Sequence, residues 1–244
     1  MAEQKQFKNK AKKTRSRSPE KKAQQFEKIL ETGKQLFQEH GREGFTLGGL
    51  AKKLDMNKNN LYNYIESKRE LWIAIRKKCY EQYRNENREI IKESSGTNIE
   101  TLLKIFTHFF VFAEKDYAAF RIMHTMNAPS SEKIGPFEKE YTQFSFLDGT
   151  TRLIQKSIDN GEIKENNAAL LSFFMFSLLL GATMIEKAMR DIEGTNNKKG
   201  KEIEERTQFG TQSFTSKEFR KYTLRKIQKG FTDPNLVVNE FEYK

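Results

Sequence analysis

The chain has 244 residues, of which 44 are Lys or Arg, 33 are Asp or Glu, and one, Cys79, is a cysteine. This length allows one large domain or two modest ones with a sizeable core. A lone cysteine excludes a disulfide scaffold and a cysteine-rich zinc module, and the first 22 residues are too polar for a secretory signal. We therefore expect an intracellular, cytoplasmic protein.

The excess of positive charge lies in the first part of the chain. Residues 1–92 contain 23 basic and 12 acidic side chains, whereas residues 93–244 contain 21 of each. This asymmetry is typical of a protein in which one part binds a polyanion. The polyanion can be a nucleic acid or an anionic membrane surface, and composition does not choose between them.

The N-terminal end predicts a basic arm followed by an amphipathic helix. Residues 1–18 carry seven basic side chains and one Phe, too little apolar surface to order them, so we expect a disordered arm. The arm either contacts the polyanion or is a free tail. Ser18 can cap a helix and Pro19 suits its first position, and apolar residues then recur at three- and four-residue spacing as far as Gly41.

Two short helices and a long one are predicted next. The first short helix follows Thr46, and the second begins at Asn57. Ser67 and Glu70 have the spacing of a capping box, in which the Ser hydroxyl accepts from the Glu amide and the Glu side chain reaches back. A long helix begins there and carries Cys79 on its apolar face, where it is expected to be a small buried hydrophobe.

The remainder of the chain also has helical periodicity. The spacing of apolar residues, with caps at Asp116 and Thr215, predicts helices over residues 99–113, 116–126, 137–159, 168–190 and 215–230. Loops are predicted at residues 128–136 and 191–214, and a short strand is possible only at residues 236–243. The predicted fold class is all-α.

The segment from Ala168 to Ile185 has no charged residue over 18 positions, the lower limit of a membrane-spanning helix. It contains Ser172, Gly181 and Thr183, which favour a buried or oligomer-forming helix. The alternative is a membrane-associated protein with this segment inserted and the basic arm on anionic lipid.

Motifs of enzymes are absent from the sequence. There is no GxSxG, GxGxxG, Walker-type loop or HExxH. His108 and His124 can face one cavity, but two histidines without a third ligand make a poor metal site. We therefore expect no enzymatic activity, no cofactor and no bound metal.

Residues 45–71 carry the strongest functional signal, a helix-turn-helix. Two short helices are separated by three or four residues, and polar side chains able to contact bases or phosphates occupy the exposed side of the second, namely Lys58, Asn59, Asn60, Tyr62 and Asn63. Lys68 begins the next helix, where free backbone amides favour a phosphate oxygen.

The run FTLGGLAKKLDMNKNNLYNYIESKRELW, residues 45–72, resembles the DNA-binding signature of the tetracycline-repressor (TetR-type) family. The positions that fit the pattern are Ala51, Leu61, Tyr62, Tyr64, Ile65, Ser67, Lys68 and Leu71. The resemblance covers about residues 20–75. It departs at Asp55, where the family usually has Gly in the turn, and at Asn59 and Asn60, where it usually has small residues.

The resemblance implies a homodimeric, ligand-controlled transcription regulator, usually a repressor. Carried over by position, Lys58, Asn59, Asn60 and Asn63 would face bases. Thr46, Tyr62, Tyr64 and Lys68 would hold phosphates. The plainer interpretation is that Tyr62 covers the junction between the third and fourth helices and that Tyr64 is partly core.

Three regions are predicted: an arm over residues 1–18, a helix-turn-helix domain over 19–75, and an effector-binding and dimerisation domain over 76–244. A pocket for a small hydrophobic effector is predicted to include Phe106, Phe109, Phe110, Phe120, Met123, His124, Phe144 and Phe174. Ordinary core packing is the alternative for most of them. The predicted dimer interface comprises Leu171, Met175, Leu178, Ala182 and Ile185.

Overall fold

A computed structural model describes residues 18–140, 147–195 and 213–232, and over these ranges the chain is helical without strands. The helices are α1 (Pro19–Gly44), α2 (Leu47–Lys53), α3 (Lys58–Tyr62), α4 (Lys68–Glu93), α5 (Asn98–Lys115), α6 (Tyr117–His124), α7 (Pro136–Lys139), α8 (Asp148–Asp159), α9 (Ala168–Thr195) and α10 (Ser216–Thr232). The predicted fold class is confirmed. The predicted arm, strand and most of the second polar loop lie outside the described residues.

The first helix forms where the sequence predicts it. The Ser18 side chain accepts from the amide of Lys21, and Pro19 opens the helix. The backbone of Gly41 is left-handed, with φ of 65°, and this kink separates the main helix from a last turn that ends at Gly44. The kink allows Phe45 to fold back onto Phe37, whose ring centroid is 4.0 Å away.

Helix α4 is shared by the two halves of the molecule. It packs on α1 and also on α5, α6 and α7. Lys34 of α1 and Asp116, which caps α6, form an ion pair at 2.5 Å beside this helix. Cys79 of α4 is buried, as predicted, and its burial raises the pKa of the thiol to about 12.

The second half of the chain encloses a core rich in phenylalanine. Helices α5, α8, α9 and α10 pack around it, and Phe106, Phe110 and Phe120 are fully buried. Arg220 attaches α10 to its neighbours: its Nη2 is 2.6 Å from Glu114 Oε2, and its Nε is 3.0 Å from Glu186 Oε2.

The continuous helix predicted over residues 137–159 is wrong. The structure has the short α7 and a separate α8, with residues 141–146 outside the described ranges. Phe137 of α7 stacks on Phe26 of α1 at 5.1 Å, whereas Leu153 and Ile154 of α8 are buried in the second core. Because the two ends of the predicted helix pack against different parts of the molecule, one straight helix does not form.

Helix α9 is long and apolar enough by composition to cross a membrane, with a mean hydropathy of 2.1. Within this chain, 28% of its apolar window is buried. One side of α9 packs on α8, α10 and α5. The other side is exposed.

Candidate nucleic-acid interface

Two short helices present the candidate interface on a well-packed base. The Thr46 hydroxyl accepts from the amide of Gly49 at 3.0 Å and so starts α2. Asn57 starts α3, as predicted, because its Oδ1 accepts from the amide of Asn59 at 2.9 Å. Leu50 and Leu61 are fully buried beneath the two helices. The helix-turn-helix predicted from the sequence is therefore present.

The turn between α2 and α3 passes through Asp55. Its φ is 49°, the left-handed region that the family's usual glycine adopts without steric cost. The next residue, Met56, returns a hydrogen bond from its amide to the Ala51 carbonyl at 2.9 Å. Asp55 is exposed, two residues before the helix cap Asn57.

The polar residues predicted to read bases lie on the surface. Lys58, Asn59 and Asn60 are exposed on α3. Asn63 is also exposed, but the helix ends at Tyr62, so Asn63 is its C-terminal cap. These side chains share one short, solvent-facing segment of a size that fits the major groove.

The four residues predicted to hold phosphates differ in burial. Thr46 is exposed and Tyr62 is 43% exposed, with Lys58 Nζ 5.9 Å from its ring centroid. Tyr64 is half-buried and its ring stacks on Phe26 at 6.4 Å. Lys68 is half-buried at the first turn of α4. Tyr64 thus packs against the core, in line with the plainer interpretation of this residue.

A cavity lies in the second core. Its volume is about 30 Å³, which is enough for water but not for a larger ligand. Its walls are formed by Tyr83, Ile105, Phe106, Phe109, His124, Leu147, Thr150, Ser172, Met175, Phe176 and Leu179. Burial lowers the pKa of His124 to about 4, and the positive charge of Arg76 acts in the same direction. His124 is therefore neutral near pH 7.

Residues 29–75, which contain both short helices, match the sequence model of the bacterial regulatory proteins of the tetR family. This part of the chain is a TetR-type DNA-binding domain. A relative over a longer range is the biofilm operon icaADBC HTH-type negative transcriptional regulator IcaR of Staphylococcus aureus. It is 27% identical over 165 residues, which cover 66% of this chain and 86% of that protein.

Solved structures share the fold of this chain over most of its length. The regulator FadR from Bacillus subtilis, in complex with stearoyl-CoA, has a TM-score of 0.59 at 17% identity and covers 84% of this chain and 98% of its own. AibR, in complex with isovaleryl coenzyme A and operator DNA, has a TM-score of 0.55 at 15% identity, covering 82% and 95%. At these identities the likeness shows the fold alone.

The residues predicted to form the effector pocket lie in different parts of the structure. Phe106, Phe109 and His124 line the cavity. Phe110, Phe120 and Met123 are buried but are not among its lining residues. Phe174 is 55% exposed on the outer side of α9. Phe144 lies outside the described residues.

Several lining residues were not predicted. Tyr83 of α4 is buried and its ring packs on Phe112, and Thr150 and Ser172 are polar lining residues that were not predicted for the pocket. A polar residue within an apolar helical stripe was the available signal for Ser172. For Tyr83, the signal was its four-residue spacing from the predicted buried Cys79.

The residues predicted for the dimer interface do not all lie on one side of α9. Leu171, Met175 and Ala182 are buried against their own chain, and Ile185 is half-buried. Because α9 is apolar nearly all round, spacing alone could not show which side packs inward. The side of α9 that remains exposed carries Leu170, Phe173, Phe174, Leu178 and Met184.

The two histidines do not form a shared metal site. Both ring nitrogens of His108 lie 2.8 Å from oxygens of α4, Nδ1 from Asn87 Oδ1 and Nε2 from Glu86 Oε2. His124 lines the cavity instead. Within the described ranges no three metal-binding side chains come together.

Proposed function

We propose that the protein is a homodimeric, cytoplasmic repressor that binds a DNA operator through α2, α3 and the start of α4 and is released by a small hydrophobic effector. The observation that carries the proposal is the exposed polar surface of α3, held by capped helices on buried leucines. Repression is supported by the similarity to IcaR, which is a negative transcriptional regulator.

Within this proposal, residue roles follow from position. Lys58, Asn59, Asn60 and Asn63 contact base edges, because they share the exposed segment of α3. Phosphates are held by Thr46, Tyr62, Tyr64 and Lys68. The ammonium of Lys68 stands at the beginning of a long helix, where the amides of the first turn attract the same phosphate oxygen.

The exposed side of α9 supports a dimer. Phe173 and Phe174 are more than half exposed, and such a continuous apolar surface on a soluble protein marks an association site. A second copy of the same helix related by a two-fold axis would cover it. Size-exclusion chromatography without detergent tests this assignment against the membrane alternative: a soluble dimer supports it, and recovery only in detergent contradicts it.

The cavity supports a hydrophobic effector. Its walls are mainly aromatic and aliphatic, with a few hydroxyl groups and a neutral imidazole. Its present size admits only water, so a ligand must spread the helices around it. FadR and AibR, which share the fold, are described with acyl-CoA ligands. An effector that binds the spread conformation better will shift the protein towards it.

The test of the proposal is selection of duplexes from bacterial genomic fragments, followed by fluorescence anisotropy of the enriched duplex. We expect specific binding that weakens steeply with salt, because phosphate contacts release counterions. Stearoyl-CoA, isovaleryl-CoA and 1-decanol, an uncharged alkyl probe, are then added to the complex. The absence of an enriched duplex and of salt-dependent binding would contradict DNA binding, and retention of the complex with every probe would remove these three as effectors.

A further inference from the structure

The carboxylate of Glu70 is fully buried at the junction between α3 and α4. Its Oε2 accepts from the backbone amide of Glu66 at 2.7 Å, and its Oε1 accepts from the amide of Phe137 at 2.9 Å. The predicted capping box is thus only half present, because Ser67 accepts from the Glu70 amide at 3.0 Å but the Glu70 side chain does not return to Ser67. One oxygen holds the segment that follows α3, which we call the recognition helix because it carries the proposed base-contacting residues, and the other holds α7.

The segment that Glu70 holds is residues 125–140, from the end of α6 through α7, and we call it the strap. The strap contacts the helix-turn-helix half at two further points. Arg69 Nε is 2.5 Å from Glu138 Oε1, and the rings of Phe26 and Phe137 stack at 5.1 Å. The strap therefore lies against both α1 and the start of α4.

The approach of the strap to Glu70 requires a glycine. A Cβ built on Gly135 would lie 2.0 Å from Cδ of Glu70. The φ of Gly135 is −82°, which any residue adopts, so the requirement is one of space. A methyl group here would push the strap and the carboxylate apart.

The other end of the strap begins at the cavity. His124, the last residue of α6, lines the cavity wall, and residue 125 continues directly into the strap. Next to it, Arg76 of α4 donates from Nη2 to the Met123 carbonyl at 3.3 Å. A displacement of the C-terminal end of α6 is thus transmitted to the strap through the covalent chain.

From this arrangement we infer that Glu70 is a positioning residue for DNA binding, and that its carboxylate joins the strap to the end of the recognition helix. The inference rests on the proposed function and names how the cavity regulates it. A buried carboxylate that loses one of its two amide donors is left under-satisfied in a low-dielectric site. The strap and the recognition helix are therefore coupled, and a change in one alters the preferred position of the other.

The test uses the full-length protein and three variants. Glu70→Gln keeps the shape but replaces one acceptor with an NH₂ group that faces a backbone N–H. Gly135→Ala retains the Glu70 side chain but forces its carboxylate and the strap apart. Gly149→Ala, in α8, is the matched control, because a Cβ there meets nothing within 4 Å. Circular dichroism and thermal melting establish that each variant is folded.

The first measurement is amide hydrogen exchange without DNA. We expect Glu70→Gln and Gly135→Ala, but not Gly149→Ala, to accelerate exchange in residues 58–66 by at least about fivefold, the lower end of typical coupling between sites. A further variant, Glu70→Ala, serves as a background for Gly135→Ala. In this background the acceleration of exchange by Gly135→Ala should be smaller, because no carboxylate remains to clash with the added methyl group. Equal exchange for Gly135→Ala and Gly149→Ala would overturn the inference, even where Glu70→Gln fails to fold.

The second measurement adds the enriched duplex. Because coupling is reciprocal, duplex binding to the wild-type protein should slow exchange in residues 125–140, and Gly135→Ala should weaken this protection. DNA binding without any change in the strap would overturn the inference and leave the proposed function intact. A wild-type protein that binds no duplex would overturn the proposed function, whereas the exchange result without DNA would still report on Glu70.

Discussion

At the residue scale, the turn at Asp55 offers a clean test of backbone strain. Aspartate and asparagine tolerate the left-handed region better than other non-glycine residues. We expect Asp55→Asn to change the free energy of unfolding by less than about 0.5 kcal/mol, and Asp55→Ala to lower it by about 1 kcal/mol. Urea denaturation of both variants measures this difference, and equal stabilities would contradict it, since both remove the same charge.

Substitutions at Lys68 and Asn60 are expected to affect DNA binding in different ways. Lys68→Ala should weaken binding to all duplexes nearly equally and reduce the log–log salt slope by about one, because phosphate contacts carry no sequence information. Asn60→Ala should cost about 1–3 kcal/mol on the preferred duplex and relax one base position. Anisotropy over a salt series checks both. Lys92→Ala, at the exposed far end of α4, is the control, and a changed base preference in Lys68→Ala would contradict its assignment.

His124 gives the protein a defined pH dependence. Its folded pKa of about 4 lies below its unfolded value, so the unfolded state binds the proton first as the pH falls below about 6.5. Stability is therefore lost between these two values, by about 2 kcal/mol from pH 7 to pH 5. In His124→Phe this part of the loss should disappear, whereas the exposed His40→Gln should behave as wild type. Denaturant titrations at pH 7 and pH 5 measure the free energy of unfolding of each protein. Equal losses in His124→Phe and wild type would show that His124 is not the source of this pH dependence.

At the element scale, α10 depends on a buried charge. Glu186 is 1% exposed and is held by Arg220, which also pairs with Glu114. Arg220→Ala leaves that carboxylate without its α10 partner and should lower the free energy of unfolding by about 3 kcal/mol. Lys226→Ala, exposed on the same helix, should change little. Guanidinium unfolding measures both, and similar small effects would show that the ion pair does not hold α10.

Helix starts were predictable because their hydrogen bonds are local. The caps at Asn57, Asp116 and Thr215 connect residues two or three positions apart, and the structure contains all three. The break between α7 and α8 was not predictable in the same way. It depends on Phe137 meeting Phe26, a contact between distant parts of the sequence.

The same limit applies to the candidate sites. The polar side of α3 could be recognised because five residues within the six positions 58–63 carry it. The second partner of Glu70 is 67 residues away, and the cavity walls come from five helices and the turn before α8, so no short pattern encodes either.

At the scale of the whole molecule, the exposed side of α9 decides the assembly. Phe174→Glu places a charge in the proposed interface, where the two-fold axis repeats it. We expect a folded monomer with lower affinity for the duplex, since one copy reads one half-site. Val111→Glu is the control, because Val111 is also exposed, at 44%, but lies on α5. Light scattering measures the mass, and a dimeric Phe174→Glu would show that association uses another surface.

The buried thiol of Cys79 has a practical consequence. Its pKa of about 12 keeps it protonated and unreactive near neutral pH while it lies in α4 beside the charges of Lys34 and Asp116. Because the sequence contains one cysteine, every labelling event by a thiol reagent reports on this position. The rate of labelling therefore measures how often α1 and α4 separate transiently and expose Cys79. A lower rate in the presence of DNA or a ligand would show that the bound molecule slows this opening, and no engineered probe is needed.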